Sequence, residues 1–144
     1  MKILVSACLL GQKCKYNGGD NLSQKVLDYV KGHEIIPVCP EVSGGLPTPR
    51  IPCEIVDGIV RNKDGENKDK EFRSGAEICL KKAIDEKADL AILQSRSPSC
   101  GKGFIHNGLF DGGLVPGTGV TAQLLMEDGI EVLTEEEWLE TQKT

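Results

Sequence analysis

The sequence predicts a single α/β domain with a mainly parallel open sheet and one inserted β-hairpin. Three observations carry that expectation. Short apolar runs of strand character at 2–7, 33–39, 88–93 and 131–134 alternate with segments of helical period. Between the second and third runs, Asp57-Gly58 splits residues 54–62 into two arms, the signature of a tight hairpin. The chain has 144 residues, enough for one full core. The order β-α-β-hairpin-α-β-α-β makes each helix a crossover between parallel strands. Right-handed crossovers then put the strand C-termini on one edge. The expected architecture is Rossmann-like or flavodoxin-like, three layers deep, with one domain over 1–144.

Each element has its own local reason. KILVSA (2–7) is a buried strand and is followed by the turn-rich GQKCKYNGGDN. Leu22, Val26, Leu27 and Val30 share one face of a helix over 22–31, and Gly32 ends it. HEIIPVC (33–39) is the second strand, and Pro37 assigns it to a sheet edge or a strand end. EVSGGLPTPRIP (41–52) is a loop stiffened by three prolines, and NKDGENKDKE (62–71) is a charged, solvated loop. Ala76, Cys79, Leu80 and Ala83 recur at helical spacing within 72–88, with Ser74 as the candidate N-cap. ADLAIL (88–93) is the third strand. The glycine-rich stretch 101–119 reads as a long irregular loop, a length that usually serves function. A short helix over 119–128, the strand EVLT and a helix EEEWLE capped by Thr134 complete the chain.

A net charge of -5 argues against broad binding to nucleic acid or anionic membranes. No apolar run approaches the ~18 residues of a membrane helix. Met-Lys-Ile-Leu-Val opens as a strand rather than a signal peptide, so a cytoplasmic protein is expected. The sequon Asn21-Leu22-Ser23 then carries no meaning. Six cysteines in a reducing compartment point to metal or thiol chemistry rather than disulfides. No C-x-x-C is present.

Cys8, Cys39 and Cys100 each fall just past the C-end of a strand. Any one of them is most simply a small buried hydrophobe. Three in Gly/Pro/Ser-rich turns at one sheet edge make a site the better reading, because that edge is where open α/β sheets bind ligands. Three thiolates suit a soft metal centre. It is either a four-iron cluster with one open iron or zinc with a fourth ligand or water. Cys14 is a candidate fourth ligand or resolving thiol, Cys79 reads as core and Cys53 as structural. Glu41, two residues after Cys39, is placed for proton transfer. Ser97 and Ser99 flank Pro98 and either cap backbone donors or orient a ligand. His33 and His106 lack metal-ligand spacing and read as surface or strand-end residues. GTGVTA (117–122) fits G-x-G-x-x-A but comes late and follows no strand, so it is a poor dinucleotide fingerprint. Free N–H groups at the start of its helix are expected to point into the site, with 101–119 as its wall or lid.

Four stretches together carry a resemblance: VSACLLGQKCKYNGG (5–19), PVCPEVSGGLPTPRIPCEI (37–55), SRSPSCGKGFIHNG (95–108) and GTGVTAQLL (117–125). They resemble a small bacterial domain family that includes thiouracil desulfidase. The resemblance implies a [4Fe-4S] cluster held by Cys8, Cys39 and Cys100 alone. It matches Glu41 and Ser97 to catalytic positions and implies a small thiolated heterocycle as substrate, with no nucleic-acid or membrane partner. The implied reaction is non-redox: thiocarbonyl sulfur binds the open iron, water helped by Glu41 attacks the ring carbon, and hydrosulfide leaves. The alternative is a metal- or cluster-binding carrier or sensor without turnover, which needs no acid-base group beside its metal. Lys15 and Asn17 stand where the family more often has arginine and aspartate, and Cys53 where cysteine is not typical. Those differences bear on substrate choice more than on the cluster.

Overall fold

Residues 1–142 are described in a computed structural model. In chain order the elements are β1 (Lys2–Ser6), a 3-10 turn (Ala7–Leu10), α1 (Gln24–Val30), β2 (Glu34–Val38), α2 (Pro40–Ser43), β3 (Cys53–Val56) and β4 (Ile59–Asn62). They continue with α3 (Asp69–Asp85), β5 (Leu90–Leu93), β6 (Lys102–His106), β7 (Leu114–Thr118), α4 (Val120–Glu127), β8 (Val132–Thr134) and α5 (Glu135–Thr141).

The central sheet has the order β2-β1-β5-β8, and every pair in it is parallel. β1 and β5 are interior strands whose apolar runs are continuous because helices cover both faces. Alternation along the strands sorts the side chains. Leu4, Ala91 and Leu93 pack with Cys79 and Ala83 of α3 and Ala122 and Leu125 of α4. Ile3, Val5 and Ile92 pack on the other face with Val26 and Val30 of α1 and Trp138 of α5. The result is the expected three-layer α/β arrangement. β2 takes the edge that Pro37 requires, and the Pro37 carbonyl accepts from Lys82 Nζ. From β1 the chain moves outward to β2, then crosses back to β5 on the other side. The strand order therefore reverses between β1 and β5, and their carboxyl ends open the crevice where ligands bind in such sheets.

The β3–β4 hairpin turns through Asp57 and Gly58, both with positive φ, as a type I′ turn requires. Other elements differ from expectation. α1 starts at Gln24 with Ser23 as its cap, which leaves Leu22 exposed. α3 starts three residues early, at Asp69, and Ser74 lies inside it rather than capping it. Asp69 Oδ1 accepts the Val60 N–H, so the charged segment is tied to the hairpin rather than simply solvated. The glycine-rich stretch is not irregular: β6 and β7 pair antiparallel from Lys102↔Thr118 to His106↔Leu114. Most of both strands is solvent-facing, so no apolar alternation marks them. A single turn of helix, α2, follows Cys39 with Pro40 at its start, a position where proline loses no hydrogen bond. No helix among the described residues is long and apolar enough to cross a membrane.

α2 meets α3 glycine to glycine. A Cβ on Gly75 would overlap the Pro40 carbonyl, and one on Gly44 the Glu71 carbonyl. Gly75→Ala gains roughly 1 kcal/mol of helix propensity but must push α2 away, an overpacking cost of about 1–3 kcal/mol. We expect a lowered urea midpoint together with a displaced Glu41. A raised midpoint would show that α2 moves freely.

Candidate functional site

A cavity of about 490 Å³ opens beside the carboxyl ends of β1, β2 and β5. Cys8, Cys39 and Cys100 all line it, as do Glu41, Ser97 and Ser99. Each thiol has a local reason for its place. Cys8 lies in the 3-10 turn directly after β1, and Gly11 at φ +95° stops that turn. Cys39 is the N-cap residue of α2. Cys100 is held from behind: its N–H donates to Ser97 Oγ at 3.0 Å, and the Gly101 N–H to the Ser97 carbonyl at 2.9 Å. Cys79 points into the core from α3. Cys14 and Cys53 also reach the cavity.

Burial pushes the Cys8 and Cys100 thiols up, and each is raised further by a neighbouring thiol, Cys39 for Cys8 and Cys8 for Cys100. Cys39 lies below the usual thiol range, because the Cys14 thiol donates to it and keeps its own proton. Burial pushes Cys53 up to about 11. Polar donors are also aimed at sulfur. Asn21 Nδ2 lies 3.6 Å from Cys8 Sγ, and Ser6 Oγ lies 3.5 Å from Cys100 Sγ. Buried thiols with donors facing them suit thiolate ligands once a cationic centre supplies the missing charge. Among the described residues, no three His, Cys, Asp or Glu side chains converge as ligands of one ion. A four-iron cube takes its thiolates at separate corners. Three thiols spread round a cavity of this size suit that body better than a lone zinc.

Glu41 is fixed at both oxygens. Arg50 Nε donates to Oε1 at 3.1 Å, and Ser99 Oγ donates to Oε2 at 2.9 Å. Arg50 also donates to the Cys14 carbonyl at 2.9 Å and to Thr48 Oγ1 at 3.0 Å, so one guanidinium ties the Cys14 loop to the Cys39 loop. Arg50 belongs to no motif, and Asn21 stands out in the sequence only as part of a sequon; the one signal for Arg50 is a lone cation in a proline-rich loop nine residues after an acid beside a cysteine. Lys15 lines the cavity, whereas Asn17 caps a local turn at the Gly19 N–H. His33 bonds the amino terminus, away from the cavity. His106 sits at the end of β6, as a strand-end residue, and also lines the cavity.

Phe110 and Gly112 bring the 101–119 stretch to the cavity. The α4 N-terminus does not serve as expected. Its donors are already taken: Gly119 N–H by the Gly101 carbonyl at 2.7 Å, Val120 by Pro98 at 2.8 Å and Thr121 by Ser99 at 2.8 Å. The helix start clamps the loop that carries Cys100 instead of facing a ligand. A Cβ on Gly119 would lie 2.6 Å from the Ser99 carbonyl. Gly119→Val is therefore expected to lower Tm and the iron content after reconstitution, not to weaken substrate binding alone. Wild-type iron with only a raised KM would return α4 to a recognition role.

A family model described as 2-thiouracil desulfurase matches residues 3–137. The chain is 40% identical over 145 residues to "Uncharacterized protein YbbK" of Bacillus subtilis (strain 168), covering 94% of this chain and 96% of that protein. A solved structure of the "[4Fe-4S]-dependent thiouracil desulfidase TudS" matches with a TM-score of 0.90 and 42% identity, over 96% of this chain and 93% of that one.

Proposed function

The chain belongs to the 2-thiouracil desulfurase family, and on that premise we propose that it hydrolyses the C–S bond of a thiouracil-like heterocycle. The products are the oxo heterocycle and hydrosulfide. The observation that carries this is the arrangement of Cys8, Cys39 and Cys100 round one cavity with a hydrogen-bonded Glu41 beside them. In this reading the three thiolates hold a [4Fe-4S] cluster. When bound, the cluster supplies a Lewis-acidic iron with an open position that polarises the thiocarbonyl sulfur.

The chain's own residues do the rest. Glu41 takes a proton from the attacking water, and its carboxylate is kept in place by Arg50. Ser97 positions the water or the substrate with its hydroxyl. Apolar walls from Val38, Pro52 and Phe110 restrict water around the reacting carbon. Exchange of sulfur for oxygen by water needs no electron donor, which suits a site without a C-x-x-C pair. A reducing, cytoplasmic setting fits a site that needs its thiols as ligands. No nucleic-acid or membrane partner is required.

The carrier or sensor reading has less support, because storage needs no acid-base group beside the thiols and Glu41 is one. The test is anaerobic reconstitution with iron and sulfide, then iron and sulfide analysis, a visible spectrum and incubation with 2- and 4-thiouracil. Uracil and hydrosulfide are the expected products. A cluster-loaded protein that turns over neither would favour the carrier.

A further inference from the structure

Ser99 has no part in that reaction so far, yet it is a buried polar group bonded to two of the residues that do. It is 2% exposed, and its carbonyl accepts from the N–H groups of Thr121 and Ala122. Its Oγ lies 2.9 Å from Ser97 Oγ and 2.9 Å from Glu41 Oε2. Ser97 and Glu41 share no hydrogen bond among the described residues.

The directions of these bonds follow from counting. A hydroxyl has one hydrogen and two lone pairs, and a carboxylate only accepts. Ser97 Oγ accepts from the N–H of Ser99 at 3.1 Å and of Cys100 at 3.0 Å, and neither contact uses its hydrogen. Glu41 Oε2 can only accept, so the single Ser99 hydrogen goes there and Ser97 is the donor in the serine pair. The alternative acceptor for Ser99, the Cys100 sulfur at 3.6 Å, is the weaker one. Arg50 occupies the other carboxylate oxygen, so Glu41 cannot turn away.

We propose that Ser99 is a positioning residue that joins Ser97 and Glu41 into one acid-base unit. This rests on the desulfidase reading of the site. As the Ser97 O–H bond breaks, its proton forms a new bond to Ser99 Oγ, and the proton already on Ser99 passes to Glu41 Oε2. The electron pair left on Ser97 Oγ is held by two backbone N–H groups, the arrangement that stabilises an oxyanion. The attacking water then reprotonates Ser97 as its oxygen adds to the ring carbon. Glu41 gives its proton to the departing sulfur, and the hydroxyl proton of the adduct goes to solvent as the oxo product forms. Water supplies the oxygen and both protons, and nothing is oxidised or reduced.

The test uses cluster-loaded Ser97→Ala, Ser99→Ala, Ser99→Thr, Glu41→Gln and the double variants. Ser99→Ala should lower kcat about 10²-fold with KM and iron content unchanged. Ser99→Thr should restore most of it. The Ser97→Ala/Glu41→Gln double should be no slower than the slower single variant, because the two residues act through one path. That pair tests the coupling even where Ser99→Ala fails to fold. A readout without turnover is urea unfolding of the cluster-free protein, where Ser99→Ala and Glu41→Gln should lower the midpoint by less together than the sum of their separate effects. An unchanged kcat in Ser99→Ala, loss of iron in that variant, multiplying losses in the Ser97/Glu41 pair or additive midpoint shifts would each overturn the relay while an active wild type keeps the desulfidase reading. An inactive, cluster-loaded wild type removes both.

Discussion

Cys100→Ala is expected to lose bound iron and desulfuration together while the cluster-free protein stays folded. Cys100 is 4% exposed and its sulfur faces the cavity beside the Ser6 and Ser99 hydroxyls. The surrounding loop does not depend on that sulfur. It is held by the Ser97 hydroxyl, by the Gly101–Ser97 backbone bond and by the first three N–H groups of α4. Removing one sulfur atom leaves a small void, so the cost to the fold is modest, about 1 kcal/mol. The cost to a three-thiolate centre is much larger, because a third of its protein ligands is gone. Loss of an outer hydrogen-bond partner alone typically costs metal sites about 10–100-fold, and loss of a ligand should exceed that. Iron and sulfide analysis, circular dichroism and the thiouracil assay on the reconstituted variant would check it. Cys79→Ala is the control: its thiol is core and should leave iron content unchanged. Full iron and normal turnover in Cys100→Ala would move the third ligand to Cys14 or Cys53, the other thiols on the cavity.

The three cysteines were readable at a distance because buried parallel strands announce themselves. β1 and β5 are runs of apolar residues, and handed crossovers leave no choice about which edge their C-ends share. Pro37 likewise located an edge strand, since a missing N–H is tolerated there. What the sequence hid is what depends on three-dimensional partner choice. β6 and β7 carry Gly103, Pro116 and Gly117 and face solvent along most of their length, so neither period nor composition betrays them. α2 can lie against α3 because Gly44 at its end and Gly75 on α3 let the two backbones meet, a fact of contact and not of pattern. The donors at the start of α4 looked free in sequence and are bonded to a loop some 20 residues earlier. Arg50 and Asn21 are ordinary polar residues in polar loops until the fold puts one on a carboxylate and the other on a thiol.

Glu41→Gln is expected to keep the cluster and lose most of the rate, by about 10²–10⁴-fold in kcat. The substitution preserves length and volume, and Glu41 makes no hydrogen bond to Cys8, Cys39 or Cys100 among the described residues, so iron content should match wild type. Two things change. The titrating group disappears, so no proton can be stored beside the reacting carbon. The polarity of the hydrogen-bond chain also reverses. Arg50 can only donate, so the amide oxygen must take the Oε1 place. The amide nitrogen must then face Ser99, which has to accept from it and turn its own hydrogen elsewhere. The fold itself loses a paired charge, since the Arg50 and Glu41 side chains are only 6% and 16% exposed. Breaking such a pair by removing one partner typically costs about 3–5 kcal/mol. Here the cost should fall at or below the low end, because Arg50 keeps its bonds to Thr48 and the Cys14 and Pro47 carbonyls. Steady-state kinetics with thiouracil, iron analysis and urea unfolding on one preparation separate these effects. Wild-type kcat at full iron loading across the active pH range would remove Glu41 from the chemistry and leave Arg50 pinning a purely structural carboxylate.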